Sequence, residues 1–258
     1  MAKTFYYDSV GLLESTINDG SGSDSGSLYT FSDGTTLTNE EYAIDQNISN
    51  AVSGWVQHEG LQFDLGSAKA VDFFAVYFNS DEADNIVIEY DSASTGESET
   101  RSAAITTNFS ADAWFVSEFT EATKQYWRIF AASVGGLEGL SEVIFGKKLA
   151  FEMYPDIGIG EQEIYGTGVQ RSIGGVEYAI KKHDPISTIS MNFSSVSSTF
   201  KDNLQSMEAQ VTDYKKFIYS EDGTTGPFHY VRLDGPISYS EVAYQRFSAS
   251  FTLREQLS

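Results

Sequence analysis

Short runs of aromatic and β-branched residues recur along the first 150 residues, and polar turns separate them. The runs are LQFDL at 61–65, VDFFAVYF at 71–78, NIVIEY at 85–90, AWFVSEF at 113–119, QYWRIFA at 125–131 and SEVIFG at 141–146. They are too short and too aromatic for helices, and several alternate apolar with polar residues as half-buried strands do. Strands repeated at a spacing of about ten residues, with polar turns between them, predict a β-sandwich or jelly roll.

The pattern changes after Gly146, where glycine-rich segments and one helical segment separate the strands. We predict strands over residues 163–166, 176–181, 185–197, 215–220 and 228–233, followed by a last pair that ends the chain. A helix is predicted before 215, with Thr199 as its N-terminal cap and an apolar stripe of Phe200, Leu204, Met207 and Val211. The chain is therefore predicted to be mainly β. A jelly-roll β-sandwich would occupy 1–147, and a second β-sandwich or barrel with one flanking helix would occupy 148–258.

Composition and charge exclude several classes of protein. Cysteine is absent, so disulfides, thiolate metal sites and thiol nucleophiles are excluded. The net charge of −21 leaves no basic stripe for phosphates, which argues against a nucleic-acid partner. Residues 1–150 carry 23 acidic and 7 basic side chains, whereas 151–258 carry 14 and 9. We interpret the less acidic part as a surface that meets other protein; adaptation to a salty or crowded solvent is the alternative explanation of the charge.

Neither a membrane span nor a secretory leader is indicated by the sequence. No apolar run approaches the length of about 18 residues that a spanning helix needs. The N-terminus lacks the basic, apolar and small-residue layout of a signal peptide. We therefore expect no insertion into a membrane.

Catalytic motifs are sparse. The three histidines are His58, His183 and His229, and no nucleophile elbow, zinc-binding histidine pair or phosphate-binding glycine loop accompanies them. Glu161 and Glu163 could be imagined as a glycosidase acid pair on one strand face, but two solvated glutamates are by far the better explanation. We predict that the chain is not an enzyme.

The first part of the chain resembles discoidin-type, galactose-binding-like domains. The resemblance covers residues 28–147 and is carried by NAVSGWVQHEGLQFDLGSAKAVDFFAVYF and QYWRIFAASVGGLEGLSEVIFGKKL. It implies a jelly roll that holds glycans with exposed aromatic rings. The candidate glycan-binding residues are Tyr29, Trp55 and His58. A plug at the end of the sandwich is the preferred interpretation of Trp55, and Tyr29 has the same two interpretations. Trp114 has the same two interpretations, with the core preferred.

We expect no cofactor; the alternative, which the same resemblance raises, is a bound calcium ion. Many relatives hold one with an early aspartate and a late glutamate, and the matching positions here are Asp45 and Glu142. Oxygen ligands of this kind are what calcium requires. The acidic segment at 81–84 is better explained as a solvated turn.

The last part of the chain resembles the tail-tube-like domain of long-tailed bacteriophages, above all the distal tail protein. GGVEYA, NLQSMEAQ, GPFHYVRL and FSASFTLRE occur in the expected order over 148–258. The resemblance implies a hexameric ring around the tail channel, with strands of neighbouring subunits completing a barrel. Its partners would be the tail tube and the tail hub or baseplate, and its location the virion, after assembly in the host cytoplasm.

Two functions follow from these resemblances. The first is a structural tail-tip protein whose peripheral sandwich contacts host glycans or anchors fibres. The alternative is a stand-alone carbohydrate-binding protein. The missing signal-peptide pattern argues against this alternative, because a secreted protein of that kind normally carries one. One departure concerns the first function: many distal tail proteins carry the ring domain first, whereas here the sandwich comes first.

Overall fold

The computed structural model describes residues 3–12, 16–21, 37–55, 59–80, 86–92, 100–101, 109–131, 137–156, 160–173, 175, 177–212 and 214–256. The fold is mainly β with one α-helix among these residues, and the predicted fold class is confirmed. Within the described part of the chain, no helix has the length and apolar character needed to cross a membrane.

The described strands, in chain order, are β1 (Thr4–Tyr7), β2 (Thr16–Ser21), β3 (Glu59–Phe78), β4 (Ile86–Asp91), β5 (Thr100–Arg101), β6 (Ala113–Ala131), β7 (Leu140–Ala150), β8 (Gly160–Arg171), β9 (Glu177–Ser197), β10 (Phe217–Ser220), β11 (Phe228–Leu233), β12 (Ser238–Ala243) and β13 (Arg246–Glu255). Helix α1 (Ser198–Val211) lies between β9 and β10. Short 3₁₀ helices occupy Glu40–Ala43 and Gly223–Thr225.

The chain divides into two compact units. The N-terminal unit comprises Tyr6–Lys148, and the C-terminal unit comprises Met1–Phe5 together with Leu149–Leu257. The division therefore lies close to the sequence-based boundary at 147/148, but the first five residues belong with the second unit. The reason lies in the packing of Phe5, whose ring contacts Phe151 at 4.7 Å and Phe217 at 5.3 Å.

The N-terminal unit is built on two long strands. Its strand order is β5-β4-β6-β3-β7, and β2 pairs with the first part of β3. The sequence predicted two strands each for β3 and β6, whereas each is a single continuous strand. The polar stretch around Gly66 stays in the sheet because Gly66 adopts a positive φ of 71° and the register shifts between Asp64 and Lys69.

Aromatic and aliphatic side chains fill the interior of this unit. The fully buried ring of Phe145 contacts Phe63 at 5.6 Å and Trp127 at 5.5 Å. At Gly146 an added Cβ would lie 2.1 Å from the carbonyl oxygen of Tyr7, so the close approach of these two segments requires glycine. The predicted strands of this region therefore enclose one core, in which the apolar side chains of the alternating strands are buried.

The C-terminal unit has the strand order β10-β11-β13-β9-β8, with β12 paired to the first part of β13. The hairpin of β8 and β9 is longer than predicted, because β9 runs through Pro185 instead of starting there. Ile164 pairs with Ile186 and Gly166 pairs with His183, so the register shifts at Pro185. A bulge is one of the few places in a sheet where proline is tolerated.

Helix α1 buries the predicted stripe of Phe200, Leu204, Met207 and Val211. Its N-terminal cap differs from the prediction. Ser197, and not Thr199, accepts the backbone N–H of Phe200, at 3.1 Å. The helix begins two residues earlier than the sequence indicated because β9 continues directly into the cap residue.

Candidate functional site

One end of the N-terminal unit brings together the end of β3 and the starts of β6 and β7. Tyr77 pairs with Trp114 on one side and with Glu142 on the other, so the three side chains share one face of the sheet. Two backbone hydrogen bonds hold the adjoining loops: Asp112 donates to Phe78 and Asn79 donates to Gly139, each at 2.8 Å. This end of the unit is the candidate functional site.

Trp114 is half-buried there and lines a pocket of about 150 Å³ together with Phe109, Ser110, Ala113 and Phe115. Such a volume holds about five water molecules at their liquid density. The ring of Trp114 lies 5.3 Å from that of Tyr77, with 59° between the planes. The indole is therefore fixed on one side by a buried ring while part of it faces solvent.

The apolar lining of the pocket is continuous with the core. Phe109 stacks on Phe78 at 4.7 Å and meets Phe115 edge-on at 5.2 Å. Phe78 is fully buried and Phe109 is 5% exposed. Phe78 and Phe115 lie on the sheet face opposite to that of Tyr77 and Trp114, because neighbouring residues of a strand alternate. The core therefore preorganises the Phe109 and Phe115 side of the pocket, and Tyr77 supports the indole on the other side.

Polar groups lie beside the aromatic lining. The hydroxyl of Tyr77 donates to Oδ1 of Asp112 at 3.3 Å. Burial, followed by the charge of Asp112, raises the pKa of Tyr77 to about 12, so this hydroxyl remains a neutral donor at physiological pH. Asp112 is exposed and keeps acceptor capacity for hydroxyl groups of a ligand.

The loop at 45–55 adjoins this end of the sheet. The backbone N–H of Val52 donates to the carbonyl of Leu140 at 2.9 Å, which ties the loop to the start of β7. Trp55 is only 6% exposed, and its indole N–H donates to the carbonyl of Val52 at 3.2 Å. In this conformation Trp55 is a plug that anchors the loop. Its ring does not present a free face for stacking on a sugar.

Asp45 and Glu142, the expected calcium ligands, lie on the two segments that this hydrogen bond joins. Asp45 Oδ1 accepts the N–H of Asn47 at 2.7 Å, and Oδ2 accepts the amide of Asn50 at 2.8 Å. Glu142 is 2% exposed on β7. Among the described residues, no cluster of three or more His, Cys, Asp or Glu side chains with metal-binding geometry is found. A calcium ion here would need backbone carbonyl oxygens to complete its shell.

The remaining residues that the sequence analysis singled out lie in different environments or outside the described part of the chain. Tyr29 and His58 lie outside the described residues, and their roles stay predictions. Glu163 is exposed and accepts the hydroxyl of Tyr165 at 2.7 Å, as a solvated side chain does. Trp114, which the sequence analysis preferred to place in the core, is instead half-buried at the pocket.

Sequence reasoning missed Tyr77, Phe109 and Asp112. Tyr77 stood inside the nearly continuous apolar run at 71–78, which indicated a buried strand. The one available signal for Asp112 was its position directly before an aromatic strand start, ADAWF. The register between β3 and β6 places Tyr77 beside Trp114, and the sequence of a single strand does not reveal such a register.

No protein-family model and no curated protein matches the chain. Solved structures do. A mutant of chitosan-binding module 1 from a chitosanase/glucanase of Paenibacillus sp. IK-5 is 19% identical, with a TM-score of 0.38, over 55% of this chain and 100% of the module. The CBM32 of AlyQ, in complex with 4,5-unsaturated mannuronic acid, is 25% identical, with a TM-score of 0.36, over 46% of this chain and 98% of the module.

A third likeness is to part of a larger enzyme. A GH29 fucosidase of Ruminococcus gnavus in complex with fucose is 17% identical, with a TM-score of 0.38, over 56% of this chain and 27% of the enzyme. All three TM-scores are below 0.5 and all three identities are 25% or lower. We therefore derive a function for this chain from its own residues.

Proposed function

We propose that the chain is a non-catalytic carbohydrate-binding protein whose N-terminal unit holds a saccharide at the Trp114 pocket. The single observation that supports this most is the partly exposed indole of Trp114, which packs against the ring of Tyr77, with the carboxylate of Asp112 hydrogen-bonded to the same tyrosine. The discoidin-like sequence of residues 28–147 supports the same class of ligand.

The chemistry suits a pyranose. A sugar ring has an apolar C–H face that stacks on an aromatic ring, and hydroxyls at its rim that need acceptors and donors. Trp114 offers the ring, while Asp112 and the hydroxyl of Ser110 offer the polar partners. The pocket is small, and only a few side chains can contact a ligand in it. The expected ligand is therefore one terminal sugar residue rather than a long chain.

The test is a glycan array followed by titration of the best binder with wild-type protein and with Trp114→Ala. We expect the variant to lose at least about tenfold in affinity, because the loss of an aromatic stacking surface costs about 1.5 kcal/mol or more. Tyr214→Ala removes another exposed aromatic ring, in the C-terminal unit, and is the matched control with unchanged affinity. Equal binding by both variants would exclude the Trp114 pocket.

A calcium ion held by Asp45 and Glu142 belongs to this proposal, as a structural group that fixes the loop at 45–55 against β7. Support comes from the hydrogen bond between Val52 and Leu140, which places the two segments side by side. We expect calcium to raise the melting temperature of the wild type and a chelator to lower it. Asp45→Asn should remove the effect, and a melting temperature indifferent to calcium would contradict the site.

A second candidate function, a ring subunit of a bacteriophage tail tip, is favoured by the hairpin of β8 and β9. Strand β8 ends the strand order and pairs with β9 alone among the described strands. The hairpin exposes six large apolar side chains, each at least 37% accessible: Ile164, Tyr165, Val169, Ile173, Tyr178 and Ile180.

An apolar hairpin of this kind needs a partner. A two-stranded ribbon alone is marginally stable in water, and an exposed apolar edge strand is a template for pairing with another chain. In the ring proposal, neighbouring copies cover the hairpin, six copies surround the tail channel, and the tail tube and hub adjoin the ring. The protein would be assembled in the host cytoplasm and reside in the virion, with the N-terminal unit as its glycan-binding module.

A further inference from the structure

A second polar pocket lies in the C-terminal unit, on the face of the sheet that points away from the core. Its volume is about 390 Å³. The core-facing residues of β9 and β13 at this place are Ile189, Met191, Phe251 and Leu253, and all are buried. The alternate residues of the same strands form the floor of the pocket and carry hydroxyl or amide groups.

The floor consists of two rows that cross the strands. In the first row Asn192 pairs with Ser250, and Ser250 pairs with Ser238, so three strands contribute one polar side chain each. In the second row Ser190 pairs with Thr252, and their hydroxyl oxygens are 3.5 Å apart. Directly paired residues of antiparallel strands project on the same side, so all five side chains face the pocket.

A short loop at Asp234–Gly235–Pro236 forms the wall. The backbone N–H of Asp234 donates to the carbonyl of Thr252 at 2.9 Å, which places the wall at the end of the second row. The carboxylate of Asp234 lies 3.6 Å from a guanidinium nitrogen of Arg232 and 3.8 Å from one of Arg254. Gly235, at a φ of 113°, has no heavy atom within 4 Å of an added Cβ, so the loop leaves the pocket open.

The chemistry of this pocket excludes most ligand classes. Among the described residues that line the pocket, a divalent cation would find one carboxylate, already beside two guanidinium groups, and no second acid. An anion would meet the carboxylate of Asp234 at the wall, whereas neither Arg232 nor Arg254 is among the residues that line the pocket. An apolar ligand would meet no exposed ring, because Phe251 is 6% exposed.

We infer that this pocket is a second binding site, for a neutral hydroxyl-rich ligand of the saccharide class. Each serine or threonine hydroxyl both donates and accepts, Asn192 does both through its amide, and Asp234 accepts from two adjacent hydroxyls. These groups match the alternating donors and acceptors of a sugar rim. Without an aromatic platform the site binds weakly and selects by hydrogen bonding. It is independent of the Trp114 pocket.

The experiment is saturation-transfer difference NMR on the full chain carrying Trp114→Ala, with lactose, cellobiose and chitobiose as probes. The first site is disabled in this protein, so any signal reports another site. We expect transfer to at least one probe. Ser250→Phe, which fills the floor of the pocket, should abolish it, and Asp234→Ala should weaken the apparent affinity about tenfold.

Ser240→Phe is the matched control. Ser240 lies on the same face of β12 as Ser238, two residues further along and outside the pocket, and it is exposed. It should leave the transfer unchanged. The inference is overturned if no probe receives saturation, or if Ser250→Phe and Ser240→Phe behave alike.

Discussion

At the scale of single residues, His229 lies between two carboxylates in the C-terminal unit. Its Nδ1 is 3.4 Å from Glu255 and its Nε2 is 3.4 Å from Glu221, while its ring stacks on Tyr219 at 5.7 Å. The hydrogen bond with Glu255 raises the pKa of His229 above its ordinary 6.5, although burial opposes this. The same hydrogen bond lowers the pKa of Glu255 below 4.5.

These shifts predict a pH dependence of stability. The raised pKa of His229 contributes stability that is complete below pH 6.5 and is lost as the pH rises through the folded-state pKa. The lowered pKa of Glu255 contributes stability above pH 4.5 that is lost as the pH falls further. Both contributions are present between pH 4.5 and 6.5.

His229→Gln should therefore reduce the melting temperature by about 2 °C at pH 6 and by less at pH 8. Thermal unfolding of the wild type and the variant between pH 6 and pH 8 measures this difference in melting temperature. A difference that stays constant with pH would mean that His229 acts through packing alone.

At the scale of elements, the start of α1 depends on Ser197. Its hydroxyl accepts the N–H of Phe200 at 3.1 Å and donates to Glu152 at 2.6 Å. Phe200 in turn packs against Phe193 at 5.8 Å, so the cap positions an aromatic ring in the core. One serine thus links the end of β9, the first turn of the helix and the interior.

Ser197→Ala should lower the free energy of unfolding by about 1 kcal/mol, because the helix loses its capping oxygen. Thr199→Ala is the control, since Thr199 is exposed inside the first turn and should change stability by less than about 0.5 kcal/mol. Denaturant unfolding measures both variants. A larger loss of stability for Thr199→Ala than for Ser197→Ala would mean that Thr199, as the sequence predicted, is the cap.

Elements with a local signal were predictable, and those that depend on register were not. The stripe from Phe200 to Val211 follows from helical spacing, and it is buried as predicted. The continuity of β3 through Gly66 depends on its pairing with β6, which resumes at Lys69 after a shift of register that no local pattern records. For the same reason the sequence identified Trp114 as an aromatic strand residue, but not its position beside Tyr77 and the pocket.

At the scale of the whole molecule, charge and exposed apolar surface lie in different parts of the chain. Residues 1–150 hold 23 of the 37 acidic side chains, whereas the paired hairpin of β8 and β9 at 160–190 is close to neutral, with three basic and four acidic residues. The proposed ring depends on this part of the C-terminal unit, and the proposed glycan binding on the N-terminal unit.

The ring proposal predicts that hairpin substitutions change the oligomeric state. Mass photometry of the wild type should give a particle of several copies. Val169→Lys combined with Ile180→Lys should shift it to the single chain, because two charges would be buried at the contact. Tyr214→Lys, on an exposed residue after α1, should leave the particle intact. A wild-type protein that is a single chain at all concentrations would refute the ring.

The glycan-binding proposal is tested most directly by the fluorescence of the three tryptophans. Trp55 and Trp127 are 6% and 0% exposed, whereas Trp114 is half-buried at the pocket, so acrylamide should quench mainly Trp114. Addition of a bound saccharide should protect this fraction from acrylamide, and Trp114→Ala should remove both the quenching and the protection. Quenching of Trp114 that is the same with and without saturating saccharide would contradict a binding site at this pocket.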